Sequence, residues 1–370
     1  MAIALLTNYL AAYRMPLYQR LADRHGVEVL CYGRGERYVP AWFRDLDAQL
    51  AAARFPARRL EGPGQAFAIA KHYDTVIAPF AGGAFLPAAY LGARYRRKPF
   101  ILWASVWAQP RSLSHALALP LTRDIYRQAD AVIAYGEHVR RFVARTRGSD
   151  DRIFIAPQSV EPELFGRDVS DEEVESFRTR HGLEAAAPLA IYVGRLVPEK
   201  GVGVLLDAWP SIHARCGATL VLVGDGPLAE KARATPHAHF LGPLPRPELP
   251  VAYKASEVAL LPSIPTARFR EPWGLVCNEA MHQGRPVIAT TAVGAVAGGL
   301  VRNGETGLVV APAQPEALVR AVDRLLSDNA LRARLGEAAK AAVKPYTYDA
   351  MVEAFDRALA TAIRSPPTRP

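Results

Sequence analysis

The stretch LAIYVGRLVPEKG (189–201) decides the fold. Five apolar residues, typical of a buried strand, lead into Gly194, a proline-containing turn and a helix-forming segment. A strand that passes through a glycine turn into a helix is the repeating element of a doubly wound parallel sheet. The residues after such a strand lie at the carboxyl edge of the sheet, where open α/β sheets bind ligands.

The same alternation recurs along the chain in two series. The strands predicted for the two series are 2–6, 27–31, 75–79, 99–106, 131–134 and 152–156, then 189–193, 219–223, 238–241, 257–261, 286–290 and 307–310. Helical patterns fill the intervals, which indicates parallel sheets buried on both faces. The predicted fold class is therefore α/β, with two facing doubly wound, Rossmann-like domains.

A polar, acidic segment at 166–187 separates the two series and predicts the domain boundary. The predicted domains are 1–167 and 168–345. The remainder, 346–370, contains an amphipathic pattern at 348–363 that predicts a closing helix, followed by a short tail.

Composition excludes several classes of protein. The chain has 370 residues, of which 50% are hydrophobic and 22% charged, as in ordinary globular proteins. Its three cysteines form no CxxC pair, which argues against a zinc ribbon and for a reducing compartment. The first residues lack the basic segment of a signal peptide, so a cytoplasmic protein is expected.

The net charge of +9 is concentrated in the first half of the chain, because residues 1–165 carry +8. This excess fits an anionic partner there, such as a phosphate-bearing substrate, an acidic membrane surface or nucleic acid, although it also serves solubility. The basic residues are not interleaved with aromatic residues as in a nucleic-acid module, so no nucleic-acid partner is expected.

The uncharged run 76–93, followed by the basic run 94–98, has the length of a membrane span. It is interrupted by Pro79, Gly82, Gly83 and Pro87. A buried strand at about 74–79, a glycine turn and a short buried helix fit better. The basic run would then complement the C-terminal end of that helix, or contact anionic lipid at the inner face of the membrane.

The segment EPWGLVCNEA (271–280) carries two glutamates eight residues apart. Glu271 precedes a predicted helix and Glu279 lies within it, while Gly274 and Leu275 mark its N-terminus, which suits a phosphate or a sugar hydroxyl. Carboxylates accept hydrogen bonds from sugar and ribose hydroxyls. Alternatively, both glutamates are ordinary solvated acids, but the apolar neighbours of Glu279 weaken that reading.

Two cations, Arg195 and Lys200, bracket the proline turn that follows the deciding strand. Such a pair can stabilise the charge that develops on a leaving diphosphate. The alternative is two ordinary loop cations.

Three other motifs are weaker. VGDGP (223–227) lets a ligand approach the backbone, but Ala229 replaces the third glycine of a dinucleotide fingerprint, so no NAD cofactor is expected. The DLD string at 45–47 and the pair His237 and His239 have metal-binding residue types without supporting ligands, so no metal is expected.

Together these segments resemble the retaining glycosyltransferases of family 4, which have the GT-B fold. The resemblance covers the second half closely and the first half more loosely. Its motifs are VGRLVPEKG, LVGDGP, FLG, LLPS, EPWGLVCNEAMHQGRPVIAT, in which Glu271 and Glu279 form the E-x7-E motif, and NGETGLVV.

The resemblance implies a role for each matching residue. Arg195 and Lys200 would bind the donor diphosphate, Glu279 the ribose hydroxyls, and Glu271 the donor sugar. The remaining donor-binding residues would be Gly194, Gly224, Asp225, Leu244, Trp273, Gly274 and Leu275. The helix near 348–363 would return to the first domain. Catalysis would retain anomeric configuration and need no cofactor, metal or protein nucleophile, because the leaving phosphate accepts the proton of the acceptor.

The first half departs from the family pattern. Ala11 and Ala12 replace a glycine pair that many members have, and WASVW (103–107) lacks a histidine that many place after this strand. Arg14 and Trp107 are the candidates for binding the acceptor. Alternatively, Arg14 is a cation at the rim of the cleft and Trp107 is an aromatic residue of the core.

The predicted function is a nucleotide-diphosphate-sugar-dependent glycosyltransferase acting on a lipid-linked saccharide, a polysaccharide precursor or a natural product. A nucleotide-sugar epimerase or a sugar phosphorylase could use the same fold. A non-enzymatic binding protein for nucleic acid or anionic lipid is the third alternative.

Overall fold

The computed structural model describes residues 1–33, 45–80, 83–109, 113–184, 187–267 and 269–364. Two compact units are present: Met1–Gln158 together with Tyr348–Pro370, and Ser159–Thr347. Gly82 of the predicted glycine turn and the tail after residue 364 lie outside the described residues.

The first unit is built of alternating strands and helices. In chain order they are β1 (Ile3–Thr7), α1 (Met15–His25), β2 (Val27–Cys31), α2 (Leu46–Ala52), β3 (Ala57–Arg59), α3 (Pro63–Ala68), β4 (Thr75–Pro79), α4 (Phe85–Tyr95), β5 (Phe100–Ala104), α5 (Leu113–Gln128), β6 (Ala131–Ala134), α6 (Glu137–Arg147) and β7 (Ile153–Ile155). The strands form one parallel sheet in the order β3-β2-β1-β4-β5-β6-β7.

The second unit repeats the alternation. Its elements are α7 (Pro162–Phe165), α8 (Asp171–Arg180), β8 (Leu189–Val193), α9 (Val202–Cys216), β9 (Thr219–Val223), α10 (Ala229–Ala234), β10 (Ala238–Gly242), α11 (Leu249–Lys254), β11 (Val258–Leu261), α12 (Leu275–His282), β12 (Val287–Thr290), α13 (Gly294–Ala297), β13 (Gly307–Val310), α14 (Pro315–Ser327) and α15 (Asn329–Val343). The parallel sheet has the order β10-β9-β8-β11-β12-β13.

The last helix, α16 (Tyr348–Arg364), belongs to the first unit. Its residues Met351, Phe355 and Leu359 are buried, and Phe355 packs edge-on against Trp103 of β5 with ring centroids 5.2 Å apart. The four-residue spacing places all three on one face of the helix, which covers one side of the first sheet.

Each sheet is buried on both faces because its strands are almost wholly apolar. Along β1, Ile3 and Leu5 enter one core cluster while Ala4 and Leu6 enter the cluster on the opposite face. The two parallel sheets with interleaved helices confirm the predicted class, α/β with two doubly wound, Rossmann-like domains.

Both sheets reverse their strand order once, between β1 and β4 and between β8 and β11. Loops that leave neighbouring strands in opposite directions open a crevice at such a point, and open α/β sheets bind ligands there. The β8–β11 reversal brings the loop after residue 193 beside the loop after residue 261, which positions the candidate site.

The uncharged run near residue 80 does not form a membrane span. Its described parts form β4 and α4, as predicted from the interrupting prolines and glycines. Within the described ranges, no helix combines the length and the apolar character that a membrane crossing needs.

Candidate functional site

Two glycine loops meet at the carboxyl edge of the second sheet. Gly194 follows β8 with φ +149°, and Gly224 follows β9 with φ +130°. A Cβ atom on Gly224 would lie 2.0 Å from the carbonyl oxygen of Gly194, and the Leu196 amide donates to the Asp225 carbonyl over 2.8 Å. Only glycine at position 224 permits this backbone-to-backbone approach, so the two loops pack directly against each other.

The cationic loop after β8 is held against the loop that follows β11. Gly201 has φ +72°, and a Cβ atom there would lie 1.9 Å from the carbonyl oxygen of Pro262. The Ile264 amide donates to the Glu199 carbonyl over 3.0 Å. These contacts fix the backbone on both sides of Lys200.

Lys200 and Glu271, which are 71 positions apart in the sequence, form a direct ion pair between Nζ and Oε2. Their side chains are only 16% and 7% exposed. The Ser263 hydroxyl donates to the same carboxylate oxygen over 3.1 Å. A buried carboxylate needs such partners, and the lysine ammonium keeps further N–H donors for a ligand.

Arg195 lies in the same loop and is half-buried. Its guanidinium is 3.9 Å from the carboxylate of Glu199, and the Tyr192 hydroxyl donates to the Arg195 carbonyl over 2.7 Å. The predicted cation pair therefore occupies one well-anchored loop, with Lys200 joined to Glu271 and Arg195 beside Glu199.

The Glu271 loop is held by the segment after β12. The Gly294 amide donates to the Glu271 carbonyl over 3.0 Å, and the Ala295 amide donates to the Trp273 carbonyl over 2.7 Å. A Cβ atom on Gly294 would lie 2.0 Å from the Pro272 carbonyl oxygen. Gly294 thus fits this loop because it has no side chain.

Helix α12 begins directly after this loop. Gly274, with φ +94°, is its N-terminal cap, and a Cβ atom there would lie 2.5 Å from the Leu261 side chain. Trp273 is buried and its indole donates to Asn278 over 2.7 Å, which joins the loop to the helix. Leu275 is the first residue of α12, so its amide lies among the unpaired groups of the helix start.

Glu279 lies in α12 and is half-buried. Burial raises the pKa of its carboxyl, while the hydrogen bond from Tyr253 and the charge of Arg246 oppose that rise. The Tyr253 hydroxyl donates to Glu279 Oε2 over 2.7 Å, and burial together with Glu279 raises the pKa of Tyr253. Tyr253 therefore helps to keep the Glu279 carboxylate ionised and in place.

The residues predicted for the base pocket lie in neighbouring loops. Asp225 is exposed after β9, and its carboxylate accepts from the Gly226 amide over 2.8 Å. Leu244 is half-buried in the loop that follows β10, the strand beside β9. Their role in binding a base stays a prediction.

The acceptor-side candidates belong to the first unit. Arg14 is only 5% exposed; its guanidinium contacts Gln158 and stacks 4.8 Å above the Trp103 ring and 5.2 Å above the Tyr135 ring. Trp107 is half-buried and packs edge-on against His138. Arg14 thus sits in an aromatic cage, and an acceptor role for either residue stays a prediction.

The weaker candidates have structural partners. Asp45 caps α2 by accepting from the Ala48 amide over 2.9 Å, and Asp47 pairs with Arg59 at 2.7 Å. His237 stacks on His213 with ring centroids 3.4 Å apart. Throughout the described part of the chain, no three His, Cys, Asp or Glu side chains are grouped as metal ligands.

Sequence reasoning missed Ser263, Gly294 and Tyr253. Ser263 lies two residues after a predicted strand and Gly294 four residues after another, so the rule that ligands bind at strand ends could have singled them out. Tyr253 carries no comparable signal, because its link to Glu279 depends on how α11 packs against α12.

Two Rossmann-like units, the second with a cation–carboxylate site at its switch point, define the GT-B class of fold. The profile of glycosyltransferase family 4 matches residues 15–164, and that of glycosyl transferases group 1 matches residues 173–342. The two matches together cover 320 of the 370 residues and support a glycosyltransferase like those of family 4.

Curated relatives carry specific activities. D-inositol 3-phosphate glycosyltransferase of Corynebacterium glutamicum is 32% identical over 217 residues, which cover 54% of this chain and 49% of the relative. The GDP-mannose-dependent alpha-(1-6)-phosphatidylinositol monomannoside mannosyltransferase of Mycobacterium tuberculosis is 31% identical over 240 residues, 60% of each chain. The chain spans about half the length of the first curated relatives that it matches.

Solved structures share the fold over nearly the whole chain. Anabaena HepE in complex with UDP-glucose has a TM-score of 0.76 at 20% identity, with 98% of this chain and 100% of that chain covered. Sucrose-phosphate synthase from Thermosynechococcus elongatus has a TM-score of 0.72 at 23% identity and coverages of 98% and 99%.

Proposed function

We propose that this chain transfers a sugar from a nucleotide-diphosphate-sugar donor, bound at the carboxyl edge of the second sheet, to an acceptor hydroxyl. The observation that carries the proposal is the buried Lys200–Glu271 pair, anchored by Ser263 at a sheet reversal. Family membership and the UDP-glucose complex of a protein with the same fold support the choice of donor class.

The proposed roles follow from the chemistry of each group. Arg195 and Lys200 bind the diphosphate, and the start of α12 adds backbone N–H donors. Glu271 accepts hydrogen bonds from the donor sugar while it orients Lys200. Glu279, oriented by Tyr253, accepts from the ribose hydroxyls. Glycines 194 and 224 let the nucleotide lie against the backbone.

We propose that the transfer retains anomeric configuration. The anomeric C–O bond breaks and its electron pair goes to the diphosphate oxygen, whose growing charge Arg195 and Lys200 stabilise. The acceptor oxygen bonds to the anomeric carbon on the same face, and its proton passes to the departing phosphate. This route needs no protein nucleophile and no metal. We therefore expect a product with the anomeric form of the donor even when a metal chelator is added to the reaction.

The direct test is a thermal-shift panel of UDP-, GDP-, ADP- and dTDP-sugars. One donor at 100 times its dissociation constant should raise the free energy of unfolding by about 2.7 kcal/mol. Donor hydrolysis or transfer to a saccharide would then support the proposal. Donor epimerisation without an acceptor, or use of inorganic phosphate as the acceptor, would instead identify the alternative chemistries.

The acceptor is proposed to be a lipid-linked saccharide, a polysaccharide precursor or a natural product, reached at an anionic membrane. Helices α3 and α4 expose Phe67, Leu91 and Tyr95 at 36%, 46% and 76%, and Arg96 stacks 5.3 Å above the Phe67 ring. Arg97 is exposed beside them. Aromatic and basic side chains in this combination suit the headgroup region of a bilayer.

If the chain contacts membranes, removing its exposed apolar side chains should reduce its binding to lipid vesicles. Replacing Leu91 and Tyr95 together by serine should reduce co-sedimentation with phosphatidylglycerol vesicles about tenfold, because apolar area leaves the interface. The matched control is Ile363→Ser, which removes a 42%-exposed apolar side chain from α16 on the other face of the sheet. Equal sedimentation of both proteins and the wild type would contradict the contact.

The Tyr253→Phe variant tests the positioning of Glu279. Loss of a hydrogen bond to a charged group should raise the KM for the donor about tenfold. Because the Tyr253 hydroxyl opposes the rise in the pKa of Glu279, its removal raises that pKa further, and the acid limb of kcat/KM should move to higher pH. An unmoved acid limb with a normal KM would show that Tyr253 has only a packing role.

A further inference from the structure

A cavity of about 290 Å³ lies at the edge of the second sheet opposite to the Lys200–Glu271 pair. Two of its lining residues, Glu257 and Pro286, directly precede β11 and β12. The donor-site loops instead follow their strands. Because all the strands of this sheet are parallel, the cavity and the donor site occupy different edges.

The cavity is lined by more cations than anions. The charged residues in its wall are Lys254, Arg285, Arg332 and Lys340, against Glu257 and Glu337. Glu257 is already engaged, since its carboxylate accepts from the Leu189 amide over 2.5 Å and lies 3.6 Å from the guanidinium of Arg178. The wall therefore has an excess of positive charge.

The two arginines of the cavity wall differ in the hydrogen bonds that their guanidinium groups make. Arg332 donates to the carbonyls of Leu325 and Leu326 at the end of α14, over 2.9 and 3.1 Å. The Nε atom of Arg285 is buried and has no hydrogen-bond partner among the described residues. Burial lowers the pKa of Arg285, the carboxylate of Glu257 opposes that change, and the nearby charges of Arg332 and Arg178 lower the pKa further. A buried cationic side chain with an N–H group that lacks an acceptor is stabilised when an anion binds beside it.

Two flexible ammonium groups complete the wall. Lys254 ends α11 and Lys340 lies on α15, and neither forms an ion pair with a carboxylate of the residues that the structure describes. A guanidinium fork flanked by point charges matches the several oxygens of a phosphate group.

We propose that this cavity binds a small phosphate-bearing anion, either inorganic phosphate or a sugar phosphate, through Arg285, Lys254 and Lys340. Helix α12 lies between this site and the donor loops, so the two sites are separate. The cavity site does not depend on the proposed transfer reaction.

Titration calorimetry of the full chain with inorganic phosphate at constant ionic strength tests this site. The wild type should show saturable binding of about millimolar affinity or tighter. Arg285→Gln should weaken that component about tenfold, because a charge-assisted hydrogen bond is lost. Lys200→Met should leave the same component unchanged, which separates it from phosphate bound at the donor site.

A second variant guards against misfolding of Arg285→Gln. The double change Lys254→Gln with Lys340→Gln alters two other cations of the cavity wall and should weaken binding by a similar factor. Lys344→Gln, which changes the exposed C-terminal cap of α15, should not. Tighter binding of glucose 1-phosphate than of phosphate would identify a sugar phosphate as the ligand, and equal binding would identify phosphate. Absence of saturable binding, or affinity unchanged in both cavity variants, would overturn the site.

Discussion

Replacement of Lys200 by methionine is expected to lower kcat/KM by a factor of about 10²–10³, because a preorganised cation no longer meets the charge on the departing diphosphate. Glu271→Gln should cause a loss of similar size, since the amide neither orients the lysine nor binds the donor sugar as a carboxylate does. The double variant should be little worse than either single variant, because the two residues act as one buried unit. Steady-state kinetics with the donor found in the thermal-shift panel measures all three.

The free energy of unfolding of each variant separates a loss of catalysis from a loss of folded structure. Lys200→Met leaves the Glu271 carboxylate buried with the Ser263 hydroxyl, which should cost about 3 kcal/mol of unfolding free energy. Glu271→Gln keeps a neutral acceptor for that hydroxyl and should cost less. Lys231→Met, which removes an exposed lysine from α10, is the control for loss of a cation. Full turnover in either site variant would contradict the assigned roles.

Gly294→Ala should destabilise the second unit by about 3 kcal/mol and raise the KM for the donor. The new methyl group would overlap the Pro272 carbonyl oxygen and displace the loop that carries Glu271, and overpacking against backbone has little room to relax. Chemical denaturation and donor kinetics on the same preparation measure both effects.

Gly203→Ala is the matched control for this change. Gly203 lies within α9, where a Cβ atom would meet nothing within 4 Å. Alanine there should stabilise the fold by about 0.5–1 kcal/mol through its better helix propensity. If Gly294→Ala were as harmless as this control, the Glu271 loop would not depend on close contact with the segment after β12.

The residues that follow predicted strands could be located from sequence alone. The strand that ends at residue 193 predicts that Arg195 and Lys200 lie at the carboxyl edge of the sheet. The family resemblance adds Glu271 to the same donor site, and the contact of Lys200 with Glu271 agrees with that expectation. The apolar neighbours of Glu279 in the sequence predict a carboxylate that needs a partner, and Glu279 is half-buried and accepts a hydrogen bond from Tyr253.

Features that depend on distant packing could not be predicted. Strand β3 has three residues, two of them arginines, and pairs at the sheet edge, so it shows no apolar run. Arg14 was a candidate for ligand contact, yet Trp103 and Tyr135 reach it from β5 and the end of β6 to form its cage. No local pattern reports such contacts, because they arise only when the sheet has formed.

Hydrogen–deuterium exchange with and without the preferred nucleotide-sugar tests the central claim most directly. Backbone amides of a loop that holds a ligand exchange more slowly when the ligand is bound. The expected result is slower exchange at 193–201, 223–226 and 271–279, with β6 and α6 of the first unit unchanged. The account would be contradicted if, at saturating donor, exchange became slower only outside those three segments.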